Sequence, residues 1–123
     1  MPVDVIAVLM NSEDDFNPKS SSGFRVRGLF YRLLKESDPG LASRIHDYKG
    51  LAPFSVSPLL KIYSNTYYFR IMSFLTRITK AILESLKRRD EIEFMNRRLI
   101  MREIEFSRID SNKLLKEAEE IRR

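Results

Sequence analysis

Apolar residues along the chain switch between two periods, and the switches mark out the elements. Val3 to Met10 is rich in Val and Ile and is bounded by Asn11-Ser12-Glu13-Asp14-Asp15 and Asn17-Pro18, which predicts one buried strand followed by a turn. Lys19-Ser20-Ser21-Ser22-Gly23 is too polar to continue that strand. Ser22 is expected to cap a helix beginning near Phe24 by accepting from its free backbone amides. Val26, Leu29, Phe30, Leu33 and Leu34 then recur at helical spacing, and the helix is expected to stop near Ser37. Asp38-Pro39 opens a shorter helical turn carrying Leu41, Ile45 and His46, because proline fixes φ and lacks only a donor that a first turn leaves unpaired. Gly50 ends it.

Pro53-Phe54-Ser55-Val56-Ser57-Pro58-Leu59 reads as an extended strand with Phe54 and Val56 on one face, and its two prolines hold it near a sheet edge. Lys61 to Phe69 is rich in Tyr, Ile, Thr and Phe, so a second strand, or a hairpin broken at Asn65, is expected there. Leu75, Ile78, Ile82 and Leu86 share one helix face, with Arg77, Lys80, Glu84, Lys87 and Arg88 opposite, and this helix ends near Asp90. Glu91 to Met95 and Leu99 to Phe106 are strand-like around Asn96-Arg97-Arg98, and Asp110-Ser111 is expected to cap a last helix bearing Leu114, Leu115, Ala118 and Ile121. The order predicts an α+β fold of ferredoxin-like βαββαβ plan: an antiparallel sheet with helices on one face, spanning residues 1–110, and an extra C-terminal helix at 111–123. The uncovered sheet face is left for ligands.

Composition narrows the chemistry. The 123 residues fit one domain, and the absence of Cys excludes a disulfide scaffold, a thiolate metal site and a cysteine nucleophile, and fits a cytoplasmic protein. The longest apolar run, Val5 to Met10, is far short of the ~20 residues of a membrane-spanning helix, so no membrane partner is expected. The net charge is +5, and it is concentrated: Lys19 to Lys49 holds seven basic and three acidic residues, and Arg70 to Arg102 nine basic and four acidic. Two such stretches favour a polyanionic partner.

Several sites fail on residue content. With one His, no Gly-rich phosphate loop and no pair of histidines at ligand spacing, neither a bound metal nor a nucleotide cofactor is expected. Glu13-Asp14-Asp15 are adjacent acids that cannot all converge on one ion. His46 is left, at the end of the short helical turn beside Asp47, Tyr48 and Lys49, with Gly50 allowing close approach of a ligand to the backbone. Tyr31 lies at about 140° on a helical wheel whose apolar stripe centres near 10°, so it points away from the core. It flanks a notch at Gly28 on a helix that also carries Arg25, Arg27, Arg32 and Lys35. Imidazole, phenol and ammonium groups suit attack of a ribose 2′-hydroxyl on the neighbouring phosphodiester: one group accepts the 2′ proton, another protonates the leaving 5′-oxygen, and a cation stabilises the phosphate charge. DNA lacks the nucleophile.

Tyr31-Arg32-Leu33-Leu34, Pro39, Leu41-Ala42, Ile45-His46-Asp47 and Pro53 to Leu59 together resemble the N-terminal domain of the CRISPR-associated endoribonucleases that cut precursor transcripts into guide RNAs, members of the repeat-associated mysterious protein (RAMP) superfamily. The resemblance covers about Gly23 to Leu59. It implies metal-independent cleavage of CRISPR repeat RNA to a 2′,3′-cyclic phosphate, with His46 in proton transfer and Tyr31 and Lys49 assisting; on the basic surfaces, Arg25, Arg27, Arg44, Arg97 and Arg98 are expected to bind the RNA by phosphate contacts. Such proteins resemble two ferredoxin-like domains in tandem, and the second, with its Gly-rich loop, has no counterpart here. A fragment, a naturally shortened member, a homodimer or a second subunit supplying that half is therefore expected.

Two other readings compete. A noncatalytic RNA-binding or assembly subunit on the same fold is favoured by the missing half. An interaction domain using an exposed sheet edge would place Tyr67, Tyr68 and Phe69 in an interface instead of under RNA bases.

Overall fold

A computed structural model describes residues 2–18 and 22–110 of the chain. The elements are β1 (Pro2–Ser12), α1 (Ser22–Ser37), α2 (Pro39–Asp47), β2 (Phe54–Val56), β3 (Leu60–Tyr63), β4 (Thr66–Ser73), α3 (Thr76–Lys87), β5 (Glu91–Phe94) and β6 (Arg97–Asp110). The strands form one antiparallel sheet in the order β2-β4-β1-β6-β5, with β3 also paired to β4. The fold is ferredoxin-like, as the order of elements predicts.

β1 is central because its alternate residues are buried. Ile6, Val8 and Met10 are fully buried beneath the helices, whereas Val5, Ala7 and Leu9 on the other face are partly exposed. Phe69 and Ile71 of β4, Leu29, Phe30, Leu33 and Leu34 of α1, and Ile78, Ile82 and Leu86 of α3 complete the core. Each such side chain contributes about 1.5–3 kcal/mol by leaving water, so the two apolar helix stripes fix both helices on one sheet face. Buried polar groups lock the arrangement. Thr79 Oγ1 donates to Asp4 Oδ2 (2.7 Å) and Arg108 Nε donates to Asp4 Oδ1 (2.6 Å), which joins α3, β1 and β6. The Arg108 hydrogen bond, with help from Thr79, outweighs burial and holds the Asp4 carboxyl below its ordinary pKa.

The structure departs from expectation at several joints. Ser22 caps nothing on its own helix: its buried hydroxyl accepts from the Leu59 amide (3.1 Å) and so staples α1 to the segment before β3. The strand expected over 53–59 is reduced to Phe54–Val56, because Pro58 has no amide to donate. Ser57 covers the break, its amide donating to the Arg70 carbonyl (2.9 Å) and its Oγ accepting from the Arg70 amide (2.8 Å). The broken hairpin at Asn65 is present, with Asn65 at φ 62°.

The β5–β6 turn is Met95-Asn96, at φ 54° and 61°, the two-residue geometry that matches strand twist. Arg97 and Arg98 consequently lie on β6 and not in the turn, and β6 continues to Asp110 with an extra residue, Arg102, bulged opposite Leu9 and Met10. β6 ends at Asp110, and the helix expected at 111–123, with its cap, lies outside the described residues. No helix among the described residues is long and apolar enough to cross a membrane.

Candidate functional site

The ends of α1 and α2 are brought together by Asp38. Its carboxylate accepts from the Leu41 amide (3.2 Å) at the start of α2, where Pro39 takes the first helical position, and it accepts two hydrogen bonds from Arg77 of α3 (2.6 and 2.9 Å). These hydrogen bonds, Arg77 foremost, hold the Asp38 carboxyl below its ordinary pKa and fix the direction in which α2 leaves α1. Leu41, Ala42 and Ile45 pack on the core, so His46 in the last turn of α2 is turned outward.

His46 meets Tyr31 there. The two rings stand edge to face, with centroids 5.6 Å apart, and Tyr31 also packs edge-on against Phe54 of β2 (5.5 Å). Tyr31 is half-buried by these contacts, while the His46 side chain is 75% exposed, with Asp47 Oδ1 3.5 Å from its Nδ1. A pocket of about 270 Å³ opens between them, lined by Tyr31, Lys35, Pro39, Ala42, Ser43 and His46. The Arg27 guanidinium stands over Phe54 (4.9 Å) and Tyr31 (5.7 Å), one turn along α1. Neither Arg27 nor Lys35 forms an ion pair among the described residues. The Tyr31 ring, an exposed imidazole and the Lys35 cation suit a phosphodiester at this pocket, with Arg27 adding positive charge over Phe54 and Tyr31.

The other sequence candidates are dispersed. Lys49 follows the end of α2 and does not line the pocket; Lys35, which the sequence reading left among the general positive charge of α1, does. Arg44 lines a separate apolar depression with Tyr48 and Leu51. Arg97 stacks on Phe16 (4.3 Å), which in turn stacks on Tyr67 (4.3 Å), and Arg98 pairs with Glu91 (3.0 Å). Both arginines lie at the β5 edge of the sheet, opposite the β2 edge that holds Phe54, against which Tyr31 of α1 packs. Gly50 makes its close approach to Tyr48, whose ring would lie 2.7 Å from a Cβ at that position. Gly28 does not share the Tyr31 pocket either; it opens on the other flank of α1. Of the aromatic run at 67–69, Tyr67 and Phe69 are buried under the helices, leaving Tyr68 on the open sheet face beside Arg70, Glu103 and Glu105. Two carboxylates against one guanidinium make that face a poor seat for phosphate. Two of the acids at 13–15 are paired, Asp15 with Lys61 (2.8 Å) and Asp14 with Arg97 (3.8 Å).

Neither protein-family models nor curated proteins match this chain. Solved structures do. A Cas6 product complex from Thermus thermophilus superposes with a TM-score of 0.70 at 20% identity, over 85% of this chain and 40% of that one. A Cas6-related protein from Pyrococcus furiosus gives 0.71 at 13% identity, over 89% and 49%, and a RAMP protein described as binding different RNA substrates gives 0.66 at 15% identity, over 89% and 50%. The fold is that of Cas6 and RAMP proteins. This chain spans 40–50% of the length of those structures, so it matches about one half of a Cas6 chain. The Cas6-like identity of the fold agrees with the resemblance carried by Tyr31-Arg32-Leu33-Leu34 and Ile45-His46-Asp47.

Proposed function

We propose that the chain is an RNA-processing endoribonuclease domain that cuts CRISPR repeat RNA at the pocket between α1 and α2. The observation that carries the reading is the edge-to-face meeting of His46 and Tyr31 on two different helices, beside Lys35 and Arg27. The 2′-hydroxyl of the nucleotide before the scissile bond attacks the adjacent phosphorus as its proton passes to a base. The P–O5′ bond breaks, the 5′-oxygen takes a proton from an acid, and the products are a 2′,3′-cyclic phosphate and a 5′-hydroxyl. In this reading His46 makes one proton transfer and the Tyr31 hydroxyl the other, while Lys35 meets the phosphate charge. The set supplies proton transfer and charge stabilisation from side chains alone, so the reaction proceeds without a metal. That a RAMP protein of this fold is described as binding different RNA substrates supports RNA as the substrate.

The test is incubation of the protein with repeat RNA in a metal chelator, followed by analysis of product ends. Cleavage leaving a cyclic phosphate, lost in His46→Ala, is the expected result. A noncatalytic RNA-binding subunit is the second reading, favoured by the solvent exposure of His46. RNA binding without cleavage, equal in wild type and His46→Ala, would establish it. Under either reading residues 1–110 form the RNA-handling domain, and the protein acts in the cytoplasm.

A further inference from the structure

Gly28 stands in the middle of α1 for no reason internal to the fold. Its φ is not positive, and a Cβ added there would meet nothing within 4 Å, so neither backbone conformation nor packing requires glycine. Glycine weakens a helix interior relative to alanine, so the fold alone would favour a larger residue. The position opens into a groove of about 590 Å³ between α1 and the β5–β6 hairpin, on the flank of α1 away from the Tyr31 pocket. Arg25 and Arg32 lie one turn to either side of Gly28. Arg32 is held across the groove, its guanidinium donating to the Glu93 carbonyl (3.0 Å), and neither arginine pairs with a carboxylate among the described residues. Phe24, 85% exposed, stands at the mouth, and Met95 in the hairpin turn faces it.

We infer that this groove is a second RNA contact, which holds single-stranded RNA on the flank of α1 away from the cleavage pocket and leaves the reacting linkage to His46. The backbone of one nucleotide lies over Gly28, where the missing side chain lets a phosphate reach between Arg25 and Arg32, and its base stacks on Phe24. Stacking on an exposed aromatic beside a cationic rail is how single strands are held without sequence readout. The chain's own charge favours this occupant: the groove offers two arginines against the single carboxylate of Glu93. The inference rests on the RNA-processing reading, and it adds to Arg25 three residues the sequence reading did not assign to RNA: Phe24, Gly28 and Arg32.

The test is binding of a short fluorescein-labelled single-stranded RNA of mixed sequence by fluorescence anisotropy, with thermal unfolding of the same variants. Gly28→Ala and Gly28→Leu should raise the unfolding temperature, by roughly 2–6 °C for alanine, while Gly28→Leu weakens binding. Phe24→Ala should weaken binding roughly tenfold. Arg25→Gln with Arg32→Gln should lower the log–log salt slope by about 0.7, one single-strand phosphate contact. Wild-type affinity and salt slope in Gly28→Leu, Phe24→Ala and the double arginine variant would overturn the groove while leaving the His46 pocket standing. Failure of the wild-type protein to bind RNA at low salt would overturn both. Displacement of the RNA by polyglutamate as readily as by poly(U) would assign the groove to an acidic peptide and overturn the inference.

Discussion

The rings of Tyr31 and His46 meet edge to face, with centroids 5.6 Å apart, across the junction of α1 and α2. Tyr31 is anchored from below by Phe54, and His46 from behind by the core contacts of Leu41, Ala42 and Ile45. The pair is thus set by packing on both sides, while its open side faces solvent. That combination separates the chemistry of the tyrosine from its structural role.

Tyr31→Phe keeps the ring contacts with Phe54 and His46 and removes the hydroxyl. Its thermal stability should match wild type, with RNA cleavage reduced roughly 10–100-fold. Tyr31→Ala should lose the same activity and also about 1–2 kcal/mol of stability, because its ring contacts with Phe30, His46 and Phe54 go. Single-turnover cleavage and denaturant unfolding of both variants separate the two effects.

Lys35 lines the pocket and Lys49 does not. Lys35→Gln should therefore slow cleavage roughly tenfold with little change in unfolding, and Lys49→Gln should leave the rate within a factor of about two. Parallel rate measurements on the two variants decide the assignment; equal losses would bring Lys49 back to the reacting phosphate.

Stability near the acid limit should report on Asp4. Its folded pKa is lowered by the Arg108 hydrogen bond, so the unfolded chain holds that proton more tightly. The Asp4 contribution is complete above the ordinary value of 3.8 and is lost as the pH falls through the lowered folded value. Asp4→Asn should cost about 2 kcal/mol at neutral pH, and the gap from wild type should close as the pH drops below about 4. Denaturant unfolding of both proteins across that range checks the sign.

The order of elements was legible because its signals are local: period 2 in β1, period 3.6 in α1 and α3, Asp38-Pro39 at the start of α2, and Asn65 at a turn. Tyr31 and His46 were legible as residue types at a spacing, and the two are neighbours in space. Long-range register was hidden. Nothing near Arg97 in the chain says that Met95-Asn96 takes the turn and puts Arg97 and Arg98 on the β5 edge, far from β2. Ser22 looks like a helix cap by its position, yet its hydroxyl serves Leu59, 37 residues away. Lys35 and Lys49 are equivalent by charge alone, and the turn of α1 that carries Lys35 past Pro39 and Ala42 distinguishes them. The wheel angle put Tyr31 off the core stripe, but the ring is half-buried because α2 and β2 fold back over that flank.

The most direct test of His46 as the proton-transfer group is chemical rescue. Because its side chain is 75% exposed at an open pocket, His46→Ala leaves a space that free imidazole can enter from solvent. In chelator, with repeat RNA, His46→Ala should cleave roughly 10²–10⁴-fold more slowly than wild type, and added imidazole should restore cleavage at the same bond with a cyclic phosphate end. Cleavage by His46→Ala at the wild-type rate without imidazole would contradict the account.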